Sequence, residues 1–135
     1  MKKVFVNGSF DVLHTAHILL LNYARSLGDS LIVAIDSDER IKEKKGSSRP
    51  IHNIHERTFM LANLKPVDQV CWFDNDEELE GLVKHFSPDI MVVGSDWEGK
   101  EIIGSKYANE VKFFERINGY STTKTIEHII DRGNL

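Results

Sequence analysis

The sequence lacks the features that mark disulfide-stapled, disordered and membrane-spanning proteins. Its 135 residues contain a single cysteine, Cys71, so no internal disulfide can form, and no Cys/His pattern with zinc-site spacing surrounds it. It has only three prolines and no low-complexity run, which argues against disorder except at the ends. No apolar run approaches the roughly 20 residues needed to cross a bilayer. We therefore expect one domain over residues 1–135.

An excess of positive charge is also absent. The formal net charge is -4 at pH 7, which argues against a nonspecific nucleic-acid binder because such proteins usually carry a basic face. A locally basic pocket for phosphate remains compatible with this charge. The N-terminal apolar stretch is too short for a signal peptide, and no small-residue cleavage site follows it. We expect a cytoplasmic protein that binds neither nucleic acid nor membrane.

Hydrophobic periodicity predicts alternating strands and helices. Short apolar runs predict five strands, at residues 4–6, 31–35, 67–73, 90–94 and 111–114. Helical spacing and polar ends predict helices near residues 18–27, 38–45, 53–64, 76–86 and 122–132. In the last helix, Ile126, Ile129 and Ile130 are expected to face inward. This order predicts an α/β fold with a parallel five-stranded sheet and helices on both faces.

The segment between the first strand and the first helix, residues 8–17, reads GSFDVLHTAH. Ligands of open α/β sheets bind at the carboxyl ends of the strands, where helix N-termini offer free N–H groups to phosphate. His14 and His17 are three apart and project from one side of the first helical turn. There they can hydrogen-bond phosphate oxygens and stabilise a departing pyrophosphate, although such pairs also occur on ordinary helix surfaces. No third metal ligand stands at a suitable spacing, so we expect no metal site made by the protein.

This segment carries a family resemblance. The pattern G-x-F-D-x-x-H-x-x-H resembles the G-x-F-D-x-x-H-x-G-H signature of the cytidylyltransferase-like nucleotidyltransferases, and the resemblance runs through nearly the whole chain. It implies a Rossmann-like domain, commonly a homodimer, that forms no covalent enzyme intermediate. Ala16 departs from the family's usual glycine, and its methyl group can crowd the nucleotide. The residues implied to bind nucleotide here are Gly8, Ser9, Phe10, Asp11, His14 and His17.

A basic segment follows the second strand. Lys42, Lys44, Lys45 and Arg49 fit a solvated charged face, but the resemblance implies that a lysine here reaches the phosphates of nucleotide or substrate. Lys44 and Lys45 are both candidates for a catalytic role, and spacing does not choose between them.

The resemblance also implies residues that bind the acceptor, which is the second substrate. Arg57 is implied to lie near the acceptor's phosphate, a task suited to a planar guanidinium. Lys44 and Asp11 are further candidates, and Asp11 can also orient its loop or assist a metal ion. Trp97 is expected either to pack or to form a wall beside the base or the acceptor.

Two later segments are expected at the same edge of the sheet. Gly94 permits close approach of a ligand, and Asp96 can accept hydrogen bonds from a base, a ribose or a substrate hydroxyl. Residues 116–123, RINGYSTT, fit a turn and a helix N-cap. The resemblance implies instead that this segment closes over the nucleotide. The residues involved would be Arg116, as a catalytic cation, with Tyr120, Ser121, Thr122 and Thr123.

The resemblance implies in-line attack by an acceptor phosphate on the α-phosphorus of a nucleoside triphosphate, with Mg²⁺ bridging the phosphates. Residues 96–100, DWEGK, resemble glycerol-3-phosphate cytidylyltransferases, and we therefore favour CTP and glycerol 3-phosphate. Residues 45–50, KGSSRP, and 102–106, IIGSK, resemble the adenylyltransferase domain that makes ADP-heptose from ATP and heptose 1-phosphate. A sugar phosphate with either nucleotide is therefore the alternative. A nucleotide-binding module without catalysis is the third hypothesis.

Overall fold

A computed structural model describes residues 1–133 and contains a parallel five-stranded sheet. The strands are β1 (Lys3–Gly8), β2 (Ser30–Asp36), β3 (Gln69–Phe73), β4 (Ile90–Gly94) and β5 (Glu110–Phe114). The helices are α1 (Thr15–Ser26), α2 (Asp38–Lys45), α3 (Ile54–Ala62), α4 (Asp76–Phe86) and α5 (Thr122–Gly133). Short 3₁₀ turns cover Ser95–Trp97 and Ser105–Tyr107. The strand order is β3-β2-β1-β4-β5, and every neighbouring pair is parallel, which confirms the Rossmann-like α/β fold.

The core has two layers because successive side chains of a strand point to opposite faces of the sheet. Val4 and Val6 of β1 join the layer that contains Leu21 of α1 and Leu61 of α3. Phe5, between them, joins the opposite layer, which includes α4. The predicted placement of helices on both faces is therefore confirmed. Within residues 1–133, every helix is too short or too polar to span a bilayer.

Polar side chains set where three of the helices begin. The side chains of Ser37, Asn53 and Asn75 each accept a hydrogen bond from a backbone N–H in the first turn of α2, α3 and α4. The predicted bounds of α2 and α4 match the observed ones. The third strand begins at Gln69 rather than residue 67, since the backbone N–H of Val67 donates to the Leu64 carbonyl in a turn.

The last helix differs from its prediction. Ile129 and Ile130 are 64% and 56% exposed, so the expectation that they face inward is wrong, and Ile126 is only partly buried. The anchor of α5 is its first residue, Thr122, whose buried hydroxyl donates to the Asp11 carbonyl at 2.5 Å. Periodicity predicts that a helix has an apolar face, but it does not identify what covers that face.

The order of strands reverses between β1 and β4, which are paired from Val4–Ile90 to Val6–Val92. One connection therefore leaves β1 toward β2 and the other leaves β4 toward β5, and a crevice opens at the carboxyl ends between them. The loop after Gly8 and the loop after Gly94 start side by side at this crevice. Both had been selected from the sequence as candidate ligand-binding segments.

Arg57 joins four segments beneath this edge. Its Nε donates to the His52 carbonyl at 2.9 Å, and its Nη1 donates to the carbonyls of Ser9 at 2.9 Å and Asp36 at 2.8 Å. Its Nη2 donates to Asp38 Oδ1 at 2.7 Å. The side chain is almost fully buried, and protein atoms occupy these donors. The structure therefore gives Arg57 a structural position in place of the expected contact with an acceptor phosphate.

We predict that Arg57→Met lowers the free energy of unfolding by about 3–5 kcal/mol, because Asp38 and three carbonyls lose their donors together. Urea unfolding followed by circular dichroism measures this change. Arg132→Met, at an exposed position of α5, is the matched control and should change little. Wild-type stability combined with a loss of acceptor affinity in Arg57→Met would restore the acceptor-binding hypothesis.

Candidate active site

Three cavities surround the crevice at the carboxyl edge of the sheet. The first, which we call the histidine cavity, has a volume of about 540 Å³ and includes His14, His17 and Lys45. The second, the Ala16 cavity, has about 180 Å³ and adjoins the first through the same two histidines. The third, the Arg40 cavity, has about 270 Å³ and lies beyond Gly94. Gly94 lines both the second and the third cavity, so the three are neighbours.

The two histidines are held together at the start of α1. The backbone N–H of His14 donates to His17 Nδ1 at 3.1 Å, and the two rings stack with their centroids 3.7 Å apart. Because His17 Nδ1 accepts this bond, the neutral ring carries its proton on Nε2, which is then available as a donor. The sequence predicted that these side chains would project together, and the structure places them together.

Burial controls the charge of this pair. It lowers the pKa of His17 to about 4, and the positive charges of His14 and Lys45 add to this effect while Asp11 opposes it. Burial also lowers the pKa of His14. Both imidazoles are therefore neutral near pH 7, where they can donate hydrogen bonds without adding positive charge. His14 Nδ1 is buried without a hydrogen-bond partner among the described residues.

The loop before α1 is packed tightly against the protein. Phe10 and Val12 both have φ of 50°, a strained conformation for bulky side chains. The Phe10 ring is buried and lies 5.3 Å from the His17 ring, and a Cβ on Gly8 would come within 3.0 Å of it. The absence of a side chain at Gly8 thus makes room for the Phe10 ring. Phe10 supports His17 from inside the core.

Asp11 connects this loop to two distant segments. Its carboxylate accepts hydrogen bonds from the backbone N–H groups of Ile51 at 2.7 Å and His52 at 2.9 Å, and its carbonyl accepts from the Thr122 hydroxyl. Asp11 is only 3% exposed. The expected contacts with nucleotide or acceptor are therefore replaced by a role in orienting the loop, which was its other predicted role. The Thr122 hydroxyl is likewise occupied, since it donates to the Asp11 carbonyl.

Lys44 and Lys45 line different cavities. Consecutive residues of a helix project about 100° apart, so the two side chains at the end of α2 diverge. Lys45 lines the histidine cavity, and Lys44 lines the Arg40 cavity. The sequence left open which lysine contacts phosphate, and the structure assigns each one to a separate volume.

The segment around α5 completes the histidine cavity. Tyr120 stacks on His14 with a centroid distance of 6.1 Å, and the Ser121 hydroxyl accepts from the Lys124 backbone N–H, which is the expected helix cap. Ser9, Arg116 and Thr123 also line this cavity. Arg116 Nη1 lies 3.5 Å from Asp96 Oδ2, and both side chains are exposed. Such an exposed pair is weak, so Arg116 can turn toward an anion in the cavity.

The Ala16 cavity has mostly apolar walls. Ala16, Leu20, Phe114 and Ile117 line it, and Asp96 contributes a carboxylate. An apolar cavity with a carboxylate acceptor fits a nucleoside base that carries an amino group. The methyl group of Ala16, at the position where the resembled signature has glycine, is part of this wall.

The Arg40 cavity contains residues that the sequence reasoning missed. Arg40 Nη2 donates to Asp76 Oδ1 at 2.7 Å, Arg40 Nε lies 3.4 Å from Asp36 Oδ2, and the guanidinium lies 5.2 Å from the centre of the Phe73 ring. Trp97, expected as a possible wall, lines the same cavity. Asp36 ends β2 and Asp76 follows β3 closely, so the sequence could have indicated that both aspartates lie at the edge of the sheet. The sequence gives no such indication for Arg40, since α2 resembles any solvated charged helix.

Within residues 1–133, no group of three or more His, Cys, Asp or Glu side chains is arranged to hold a metal ion. The candidate site therefore offers donors and cations for phosphate, but it offers no cage of protein ligands for a cation.

Comparisons with known proteins identify a family and several relatives. The family model described as cytidylyltransferase-like matches residues 5–128. The chain is 48% identical over 128 residues to the bifunctional protein HldE of Helicobacter hepaticus and 45% identical over 134 residues to that of Sulfurimonas denitrificans. These alignments cover 95% and 99% of this chain but 26% and 28% of the relatives, so the chain spans about a quarter of their length.

One solved structure extends the comparison. The lipopolysaccharide core biosynthesis protein from Thermoplasma volcanium has a TM-score of 0.68 and 27% identity to this chain. The alignment covers 90% of this chain and 99% of that protein. The similarity therefore extends over most of this chain.

We predict that His17 makes stability depend on pH. Its pKa is about 4 in the folded protein and about 6.5 when unfolded, so between these values the unfolded chain binds more protons. His17 therefore contributes its full stability above pH 6.5, and this contribution falls by at most about 1.4 kcal/mol per pH unit on acidification toward pH 4. Urea unfolding of wild type and His17→Gln from pH 7.5 to 4.5 measures the difference. His128→Gln, at an exposed position, is the control, and parallel curves for wild type and His17→Gln would contradict the prediction.

Proposed function

The chain belongs to the cytidylyltransferase-like family of nucleotidyltransferases, and we propose that it transfers a nucleotidyl group from ATP or CTP to a heptose-type sugar 1-phosphate. The observation that carries this proposal is the adjacency of two cavities with separate lysines. The histidine cavity suits a triphosphate, and the Arg40 cavity suits a phosphorylated acceptor.

Three findings support a sugar phosphate over glycerol 3-phosphate, which the sequence had favoured. The compared relatives are HldE proteins, and the sequence segments 45–50 and 102–106 resemble the domain that makes ADP-heptose. Ile102 and Ile103, from the second of these segments, line the Arg40 cavity. The similar solved structure is a lipopolysaccharide core biosynthesis protein, which agrees with a sugar acceptor. Of the two nucleotides, the resemblance of segments 45–50 and 102–106 to the adenylyltransferase domain favours ATP.

In the proposed reaction, an oxygen of the acceptor phosphate attacks the α-phosphorus. The bond between the α-phosphorus and its bridging oxygen breaks, and pyrophosphate leaves. A phosphate monoester dianion is already a nucleophile, so the protein supplies position and charge neutralisation without a general base. His14 and His17 would donate hydrogen bonds to the β and γ phosphates and to the departing pyrophosphate. Because both rings are neutral, they cannot balance the accumulating charge alone.

The cations of the site would supply that balance. Lys45 lies beside His17 in the histidine cavity, and Arg116 can leave its exposed partner Asp96 to approach the phosphates. Ser121 and Thr123, also in this cavity, are proposed to bind phosphate oxygens. Mg²⁺ is proposed as the cofactor of the reaction, and when bound it would reduce the negative charge of the phosphates.

Lys44 would hold the acceptor phosphate from the other side, and Trp97 would form a wall beside the acceptor. We also propose, from the family resemblance, that the chain is one nucleotidyltransferase domain and forms a homodimer. Because the relatives are longer, these statements concern only the part that this chain matches.

The test is pyrophosphate release in a matrix of CTP, ATP, GTP and UTP against heptose 1-phosphate, a hexose 1-phosphate and glycerol 3-phosphate. We expect the highest kcat/KM with heptose 1-phosphate, with ATP as the favoured nucleotide. Turnover confined to CTP and glycerol 3-phosphate would overturn the proposal in favour of the original hypothesis. Nucleotide binding without pyrophosphate release from any pair would support a non-catalytic module.

We predict that Lys45→Ala and Lys44→Ala affect different substrates. Lys45→Ala should raise the KM for nucleotide and lower kcat, whereas Lys44→Ala should raise the KM for acceptor, each by roughly 10- to 100-fold, the scale of a lost charged hydrogen bond. Steady-state kinetics with each substrate varied in turn measures the split. Lys42→Ala is the matched control, since Lys42 is an exposed lysine of the same helix that lines neither cavity. The same kinetic effect from both variants would contradict the separation of the two cavities.

A further inference from the structure

Resting on the proposed function, we infer that the Asp36–Arg40–Asp76 chain in the Arg40 cavity is a subsite for the hydroxyl groups of a sugar, and that it selects polyhydroxylated acceptors. The three side chains form a continuous polar surface across α2, the end of β2 and the start of α4. This deepens the proposed function, because it assigns the acceptor's substrate class to particular residues.

The geometry of Arg40 supports a binding surface. Its Nη2 is hydrogen-bonded to Asp76, and its guanidinium is supported by the Phe73 ring. Nη1 donates no hydrogen bond to any of the described residues, and Nε lies 3.4 Å from Asp36 Oδ2 without hydrogen-bond geometry. The carboxylates of Asp36 and Asp76 therefore keep free lone pairs, and Arg40 keeps a free donor. Hydroxyl groups both donate and accept, so they match this mixed surface.

The Arg40 cavity and the histidine cavity differ in net charge. The charged side chains that line the Arg40 cavity are Asp36, Asp76, Arg40 and Lys44, so the charges cancel. The histidine cavity is lined by Lys45, Arg116, Lys124 and Glu127, which leaves a net positive charge suited to a triphosphate. An electrically balanced cavity with one lysine fits a neutral polyol that carries a single phosphate.

The spacing of Arg40 and Lys44 on α2 is suited to one acceptor that carries both hydroxyl groups and a phosphate. Arg40 and Lys44 are four residues apart, so they lie on one helix face with Cβ atoms about 5–6 Å apart. A phosphate at Lys44 and ring hydroxyls at Arg40 can therefore belong to the same acceptor. Ile102, Ile103 and Trp97 provide apolar walls for the C–H surface of a sugar. Glycerol 3-phosphate has two hydroxyls and no ring, so it leaves most of this surface unused.

The test uses Asp76→Ala, because Asp76 lies in the first turn of α4 with a side chain 67% exposed, and its replacement should not impair folding. Glu77→Ala is the matched control, an exposed acidic residue of the same turn that lines no part of this cavity. Asp76→Asn retains an oxygen acceptor and serves as the conservative variant. KM and kcat are measured for heptose 1-phosphate, glycerol 3-phosphate and nucleotide.

Acceptor binding is also measured without turnover. Trp97 is one of only two tryptophans, so its fluorescence in a Trp72→Phe background reports titration of the cavity with heptose 1-phosphate. We expect Asp76→Ala to weaken binding and to raise KM for heptose 1-phosphate by roughly 10-fold or more. We expect changes below about 2-fold for glycerol 3-phosphate and nucleotide, and partial retention of affinity in Asp76→Asn.

The outcomes distinguish this inference from the proposed function. Equal effects of Asp76→Ala on both acceptors, or no effect on either, would overturn the hydroxyl subsite. The proposed function would still stand if the wild type turned over heptose 1-phosphate. Absence of pyrophosphate release from the wild type, with fluorescence titration still dependent on Asp76, would overturn the proposed function and uphold the subsite. Absence of both activity and binding would overturn both.

Discussion

The buried guanidinium of Arg57 is the interaction on which the geometry of the candidate site depends. It donates to the carbonyls of Ser9, Asp36 and His52, and these carbonyls belong to three segments that meet beneath the edge of the sheet. A buried charge is tolerated only when its donors are satisfied, so these segments must hold their carbonyls in position around it. The ion pair with Asp38 also fixes the start of α2. The directions of Arg40, Lys44 and Lys45 follow from that start.

Asp11 provides a second junction nearby. It binds the loop before α3 through its carboxylate and the first turn of α5 through its carbonyl. The strained Phe10 and Val12 lie on either side of it, and the protein retains this strain because the contacts around it are satisfied. The strained loop fixes the positions of the two histidines, because Phe10 packs against His17 and the backbone N–H of His14 donates to His17 Nδ1. Such rigid support is what precise binding of a triphosphate requires.

Much of this architecture could be predicted from the sequence. The apolar runs predicted all five strands, with bounds within two residues of the observed ones, because buried parallel strands are continuously apolar. The predicted bounds of two helices, α2 and α4, match the observed ones. The topology then predicted which loops meet at one edge. The roles of Gly8, Asp11 and Arg57 could not be predicted from pattern, since the same residue types serve in ligand contacts and in buried hydrogen-bond networks. Arg40 was missed for a related reason: it lies in a helix that resembles any solvated charged helix, and its partner Asp76 is 36 residues away in the sequence. The exposed Ile129 and Ile130 show that amphipathicity alone does not place a helix against a core.

The residues that identify the family and the residues proposed to select the acceptor occupy different parts of the site. The signature between β1 and α1 shapes the histidine cavity, and its chemistry is common to any nucleoside triphosphate. Outside the strands, the Arg40 cavity is lined mainly by α2, the start of α4 and residues 95–103, none of which belongs to that signature. A resemblance confined to residues 96–100 thus pointed to glycerol 3-phosphate, although the same wall also includes Ile102 and Ile103. Acceptor specificity depends on the complete wall of the cavity, because a ligand contacts the surface that several segments form together.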